Sequence, residues 1–177
     1  MAETALATSM SRSAEPQQKI EGLTMVVFSG DLDKALAAFI IANGAAAMDI
    51  PVTMFFTFWG INIMRKEGPV RVSEKKSFME TMFGWMMPKG PGKLSLSKMN
   101  MGGIGTMLMK KEMSKKNVFN LPKLIQEARD QGVKLIICTM SMDVMGIKKD
   151  ELLPGVDFGG VGKFIYNSDN SKNTLFI

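Results

Sequence analysis

Histidine is absent from all 177 residues, and that absence excludes more chemistry than any residue present. Without an imidazole there is no Ser-His-Asp triad, no Cys-His pair of the papain kind and no histidine metal ligand. Cysteine occurs once, at position 138. A single thiol forms no intramolecular disulfide and no CxxC pair, so a reducing compartment is expected, the cytoplasm, with no metal and no cofactor. Long apolar runs are also missing. The longest, Leu36 to Met48 (LAAFIIANGAAAM), is interrupted by Asn43 and Gly44 and falls short of the roughly 18 residues that a spanning helix requires. The first 22 residues, MAETALATSMSRSAEPQQKIEG, lack the apolar centre of a signal peptide and read as a flexible N-terminal tail. Charge of one sign is not in excess either: 22 Lys and Arg stand against 17 Asp and Glu, a net +5, and the two signs are interspersed. That balance does not mark a nucleic-acid binder, and the paired lysines at 75–76, 110–111, 115–116 and 148–149 read as solvated surface.

What is present is apolar and regularly punctuated. Hydrophobic residues make up 46% of the chain, enough for the core of one domain, which is expected over residues 23–177. Leu23 to Ser29 (LTMVVFS) has the pattern of a strand buried on both faces and ends at Gly30. Ser29 or Asp31 can cap a following helix with Leu32, Leu36, Phe39 and Ile40 on one stripe. Pro51 marks the next boundary, and Val52 to Trp59 (VTMFFTFW) is a second strand stopped by Gly60. Asn120 caps a further helix, with Pro122 in its first turn and Gly132 just past its end. Val133 to Cys138 (VKLIIC), Val156 to Phe158 and Thr174 to Ile177 supply three more strands, with a helix over Val161 to Ser168 between the last two. Alternation of this kind predicts an α/β fold with a mostly parallel sheet covered on both faces.

Parallel sheets hold ligands beyond the carboxyl ends of their strands, and Cys138 stands at such an end. The residues after it, Thr139, Ser141, Met142 and Asp143, begin a short helix closing near Gly146. A helix start favours an anion beside it, and Asp143 opposes that influence if it lies close. Ser29, Gly30 and Asp31 after the first strand, and Trp59 and Gly60 after the second, can line the same crevice. The strings GPGK at 90–93 and GVGK at 160–163 lack the spacing of a phosphate loop, so nucleotide binding is not expected. Residues 68–117 form a Met-rich insertion. Phe78, Met79, Met82, Phe83 and Met86 follow helical spacing, and Ile104, Met107, Leu108, Met109 and Met113 crowd a second stretch. Their flexible side chains suit packing on the sheet, burial in an oligomer, or docking to a partner or a membrane surface.

These features resemble the DsrE/DsrF/DsrH-like family, in particular its larger DsrE-like branch. The likeness runs from about Thr24 to Ile177 and rests on FSGDLDKA, FFTFWGIN, the Met-rich FMETMFGWMMPKGPGKLSLSKMNMGG and, most specifically, CTMSMDVMGI. It implies a three-layer α/β/α domain with about five parallel strands, commonly assembled as a homo-oligomer. It further implies that Cys138 receives sulfane sulfur as a persulfide and passes it to other sulfur-relay proteins, rhodanese-like or TusA-like donors and acceptors. Lacking a resolving cysteine, such a protein is a carrier more than a self-contained enzyme. A different reading keeps the fold but makes Cys138 incidental, the chain being an oligomeric adaptor for sulfur-metabolism proteins.

Overall fold

Five short runs of β-branched, aromatic and methionine residues pair side by side in the computed structural model, which describes residues 22–177. The N-terminal tail expected over residues 1–22 lies, Gly22 apart, outside the described residues. The strands are β1 (Gly22–Val27), β2 (Val52–Phe56), β3 (Lys134–Cys138), β4 (Asp157–Gly159) and β5 (Ser171–Phe176). They form one sheet in the order β4-β3-β2-β1-β5, and every neighbouring pair is parallel. The helices are α1 (Leu32–Ala46), α2 (Phe78–Met86), α3 (Ile104–Lys115), α4 (Leu121–Asp130), α5 (Thr139–Met145) and α6 (Val161–Asp169).

Two adjacent phenylalanines show how the layers are built. Successive strand residues point to opposite faces, so Phe55 and Phe56 of β2 are on different sides. Phe56 meets Phe39 of α1 with ring centroids 6.0 Å apart, while Phe55 meets Phe164 of α6 at 5.4 Å. One face therefore carries α1 and α4 over the main core, and the other is covered by α6 over a small cluster of Phe55, Ile136 and Cys138. The α/β/α arrangement with five parallel strands agrees with the sequence.

Local differences have local causes. β2 stops at Phe56 instead of reaching Trp59, and Phe58–Met64 winds into 3-10 turns, because Gly60 tucks against β1 where a Cβ would come within 2.0 Å of the Val27 carbonyl oxygen. The buried stripe of α1 consists of Leu32, Ala35, Leu36, Ala38, Phe39 and Ala42, which leaves Ile40 on the outer side and half exposed. α4 begins as expected, with the Lys123 N–H donating to Asn120 Oδ1 at 3.0 Å.

The Met-rich insertion is tied down at a few points. Met87 and Leu94 enter the main core, the Gly92 N–H donates to Glu67 Oε1 at 2.8 Å, and Lys110 Nζ donates to the Gly92 carbonyl at 2.7 Å. α2 is closed at its start by the Ser77 N–H donating to Glu80 Oε2 at 2.6 Å. Its large apolar residues do not pack on the sheet: Phe78 is 82% and Trp85 85% exposed. Among the described residues no helix is long and apolar enough to cross a membrane.

Candidate functional site

The chemistry-bearing residues gather at the carboxyl ends of β1, β2 and β3, in two places. The first is built around the thiol. Cys138 pairs in register with Gly159 of β4 and immediately precedes α5. Side chains alternate along β3, so Leu135 and Ile137 enter the main core whereas Ile136 and Cys138 face the layer beneath α6. Cys138 is 4% exposed, packed with Phe55 and Ile136 under the half-buried Phe164. At a strand end this thiol was expected to share the crevice with Ser29, Gly30, Asp31, Trp59 and Gly60. The alternation of β3 and the ring of Phe164 place it indoors instead.

α5 is fastened to β2 by a buried hydrogen bond of 2.7 Å between the Ser141 and Thr57 hydroxyls, and the Thr57 N–H donates to the Val27 carbonyl at 3.1 Å. Ser141 thus ties the turn after Cys138 to the ends of both central strands. Met142 is buried in the main core, Thr139 is half-buried, and Asp143 is exposed.

The second place is a crevice of about 370 Å³ lined by Phe28, Ser29, Gly30, Asp31, Trp59 and residues the sequence did not single out: Lys34, Asn62, Pro88 and Ser95. Glycine is needed where its loops touch, since a Cβ on Gly30 would lie 2.7 Å from the Trp59 carbonyl oxygen. Gly60 backs the crevice, donating its N–H to the Phe28 carbonyl at 2.8 Å. Ser29 Oγ donates to Asp31 Oδ2 at 2.8 Å, and Lys34 pairs with the same carboxylate at 2.9 Å. That hydrogen bond to Asp31 raises the pKa of Lys34. Lys34 was legible in principle, three residues past Asp31 on the first turn of α1. Asn62 and Pro88 come from irregular segments with no such signal. Cys138, Thr139, Ser141, Met142 and Asp143 do not line this crevice, so the single site expected at the strand ends is two adjoining ones.

Among the described residues no group of three or more Cys, Asp or Glu side chains is placed to hold a metal ion. What the geometry offers is a lone thiol at a strand end and, beside it, a small polar crevice rimmed by aromatic rings. An open, wholly parallel sheet with one cysteine at the end of an inner strand defines a class of single-thiol α/β proteins. The chain belongs to the DsrE/DsrF/DrsH-like family, whose profile matches residues 19–176. It is 53% identical over 154 residues to the uncharacterized protein YrkE of Bacillus subtilis (strain 168), covering 87% of this chain and 95% of that one. It is 31% identical over 159 residues to the sulfur carrier protein DsrE2 of Allochromatium vinosum, covering 88% of this chain and 97% of that one. The crystal structure of the ychN protein from E. coli shares the fold, with a TM-score of 0.52 at 10% identity over 89% of this chain and 99% of that one.

Proposed function

We propose that this protein is a sulfur carrier of a relay, holding sulfane sulfur as a persulfide on Cys138 and passing it to a partner. The observation that carries the reading is the position of the only thiol, at the carboxyl end of β3 in a chain 31% identical to a sulfur carrier over most of its length. The step needs no histidine. The Cys138 thiolate attacks the terminal sulfur of a donor persulfide, the donor's S–S bond breaks, and the donor leaves as a thiolate with the electron pair. Cys138 then holds the terminal sulfur with its proton, and an acceptor thiolate removes it by the same displacement. No oxidant is consumed.

Access is the requirement the fold imposes. α6 contributes no fully buried residue, is preceded by Gly159 and Gly160, and presents Val161, Ile165 and Tyr166 to solvent. Lifting this helix, or turning Phe164 aside, uncovers the thiol, and a docking partner is the natural trigger. Donors and acceptors of the rhodanese-like or TusA-like kind match a single-thiol carrier. A cytoplasmic location keeps the thiol reduced. A homo-oligomer would cover the apolar surface left open on α2 and α6.

Mass spectrometry after incubation with polysulfide or a persulfidated protein tests the proposal. Wild type should gain whole sulfur atoms that reductant removes, and Cys138→Ser should gain none while remaining folded. A wild-type protein that takes no sulfur from any donor would overturn it. The exposure of Phe78 and Trp85 favours a second reading, an oligomeric adaptor docking sulfur-metabolism proteins or a membrane surface through α2. In that case Cys138→Ser would retain every association of the wild type, and no sulfur would be found on either.

A further inference from the structure

Lys66, Lys76 and Lys89 come together where the segment after β2 and helix α2 fold against the turn before β4. Arg65 is wholly buried; its Nη2 donates to Glu151 Oε2 at 2.8 Å and its Nη1 to Asn62 Oδ1 at 3.2 Å, while its Nε is buried without a hydrogen-bond partner. Lys76, 13% exposed at its side chain, pairs with the other oxygen of the same carboxylate. Lys66 donates to a neutral acceptor, the Asp150 carbonyl, at 2.8 Å, and the Asp150 carboxylate is taken up by the Ser73 N–H and hydroxyl at 2.8 and 2.7 Å. Lys89 is half-buried and pairs with no carboxylate among the described residues.

Lys66, Lys76, Lys89 and Glu151 line one cavity of about 260 Å³, together with Gly84 and, at its rim, Trp85. Three lysines and one carboxylate thus line the cavity, with the buried Arg65 behind Gly84 and the Asp150 and Glu80 carboxylates near Lys66 and Lys76 at its edges. Positive charge gathered in a recess shielded from water is stabilised by a counter-anion far more than the same charge on an open surface. Gly84 bears on the same point. A glycine inside a helix weakens it, and here the missing side chain leaves room in the cavity wall, where a Cβ would stand 3.8 Å from Lys76 Nζ and 3.9 Å from the buried Arg65 Nη2. The volume lies below the roughly 300–1,000 Å³ of cavities that take drug-sized ligands.

We infer that this cavity binds a small multivalent oxyanion of the size and charge of thiosulfate or phosphate. The inference stands apart from the role of Cys138, and only the choice of thiosulfate as a probe rests on the sulfur-relay reading. The test is isothermal titration of the full chain with sodium thiosulfate and, separately, sodium phosphate at constant ionic strength with chloride as control, alongside thermal melts. Saturable binding with a raised melting midpoint is expected. Gly84→Leu, which fills the cavity, and Lys66→Ala/Lys89→Ala, which removes two cations, should each weaken binding by about tenfold or more. Cys138→Ser should bind like wild type, so a failure of the persulfide proposal and a failure of this one are read separately. Tighter thiosulfate identifies a sulfur oxyanion as the occupant and tighter phosphate a phosphate group; either supports the site. No saturable binding of either anion, or undiminished binding in the double lysine variant, would overturn it.

Discussion

Replacing Glu151 by glutamine removes the charge that neutralises Arg65 and Lys76 while leaving volume and shape nearly unchanged. Glu151 is 6% exposed and Arg65 0%, so the guanidinium cannot turn to water when its partner is lost. Breaking a buried ion pair on one side costs roughly 3–5 kcal/mol. For a domain of this size each kcal/mol moves the melting midpoint by about 2–4 °C. Glu151→Gln should therefore melt roughly 6–20 °C below wild type, a large share of the 5–15 kcal/mol that typically holds a domain together. Urea unfolding in a buffer free of polyvalent anions measures it, with Arg65→Met/Glu151→Gln as the control. The double variant should recover part of the loss because no guanidinium is stranded. Burial acts to raise the Glu151 pKa, but hydrogen bonds from the Lys148 N–H, Lys76 and Arg65 outweigh it and the net direction is down. A lowered carboxylate contributes stability above the unfolded value of about 4.3 and loses it as pH falls through the folded value. The gap between wild type and Glu151→Gln should accordingly be full at neutral pH and close in acid. A loss under about 1 kcal/mol at neutral pH, or a gap that widens in acid, would refute the reasoning.

Three further outcomes are expected. Phe164→Ala should speed alkylation of Cys138 in the folded protein by on the order of tenfold, since that ring covers the thiol; an unchanged rate would mean that access comes from elsewhere. Gly60→Ala should destabilise by about 1–3 kcal/mol in a thermal melt, because its Cβ would lie 2.0 Å from the Val27 carbonyl oxygen and no flexible side chain is there to yield. Among the described residues, limited trypsin digestion should cut first at Lys98, in the exposed stretch between Leu94, which is anchored in the core, and α3; first cuts near Lys134 in β3 would show the sheet to be the weaker part.

The strands, the helix capped by Asn120 and the place of Cys138 at the end of β3 were legible because each rests on local chemistry: apolar runs, caps and turn glycines. Ser29, Gly30, Asp31 and Trp59 were legible as a crevice for the same reason, since strand ends in a parallel sheet converge. The burial of Cys138 was not, because it depends on which face β3 turns toward α6 and on Phe164, 26 residues later by position and unrelated by pattern. Lys76 looked like half of a solvated lysine pair, and only the fold brings Glu151 to it and to Arg65, 86 residues away from that carboxylate in sequence. The exposure of Phe78 and Trp85 was hidden for the converse reason, as helical spacing says which residues share a face but not what that face meets.

The pairing of β5 with β1 bears on how the protein reaches this state. Thr24 and Ser171 share a 2.7 Å hydrogen bond although 147 residues separate them, and β1 lies inside the sheet only because β5 flanks it. Contacts of such separation are slow to form because a long loop must close before any of them is rewarded. Until β5 arrives, Met25 and Val26 belong to a bare edge strand that can template pairing with another chain. The interval between synthesis of β1 and docking of β5 is then the time at which this protein is most open to aggregation, and a chaperone that shields β1 would act there.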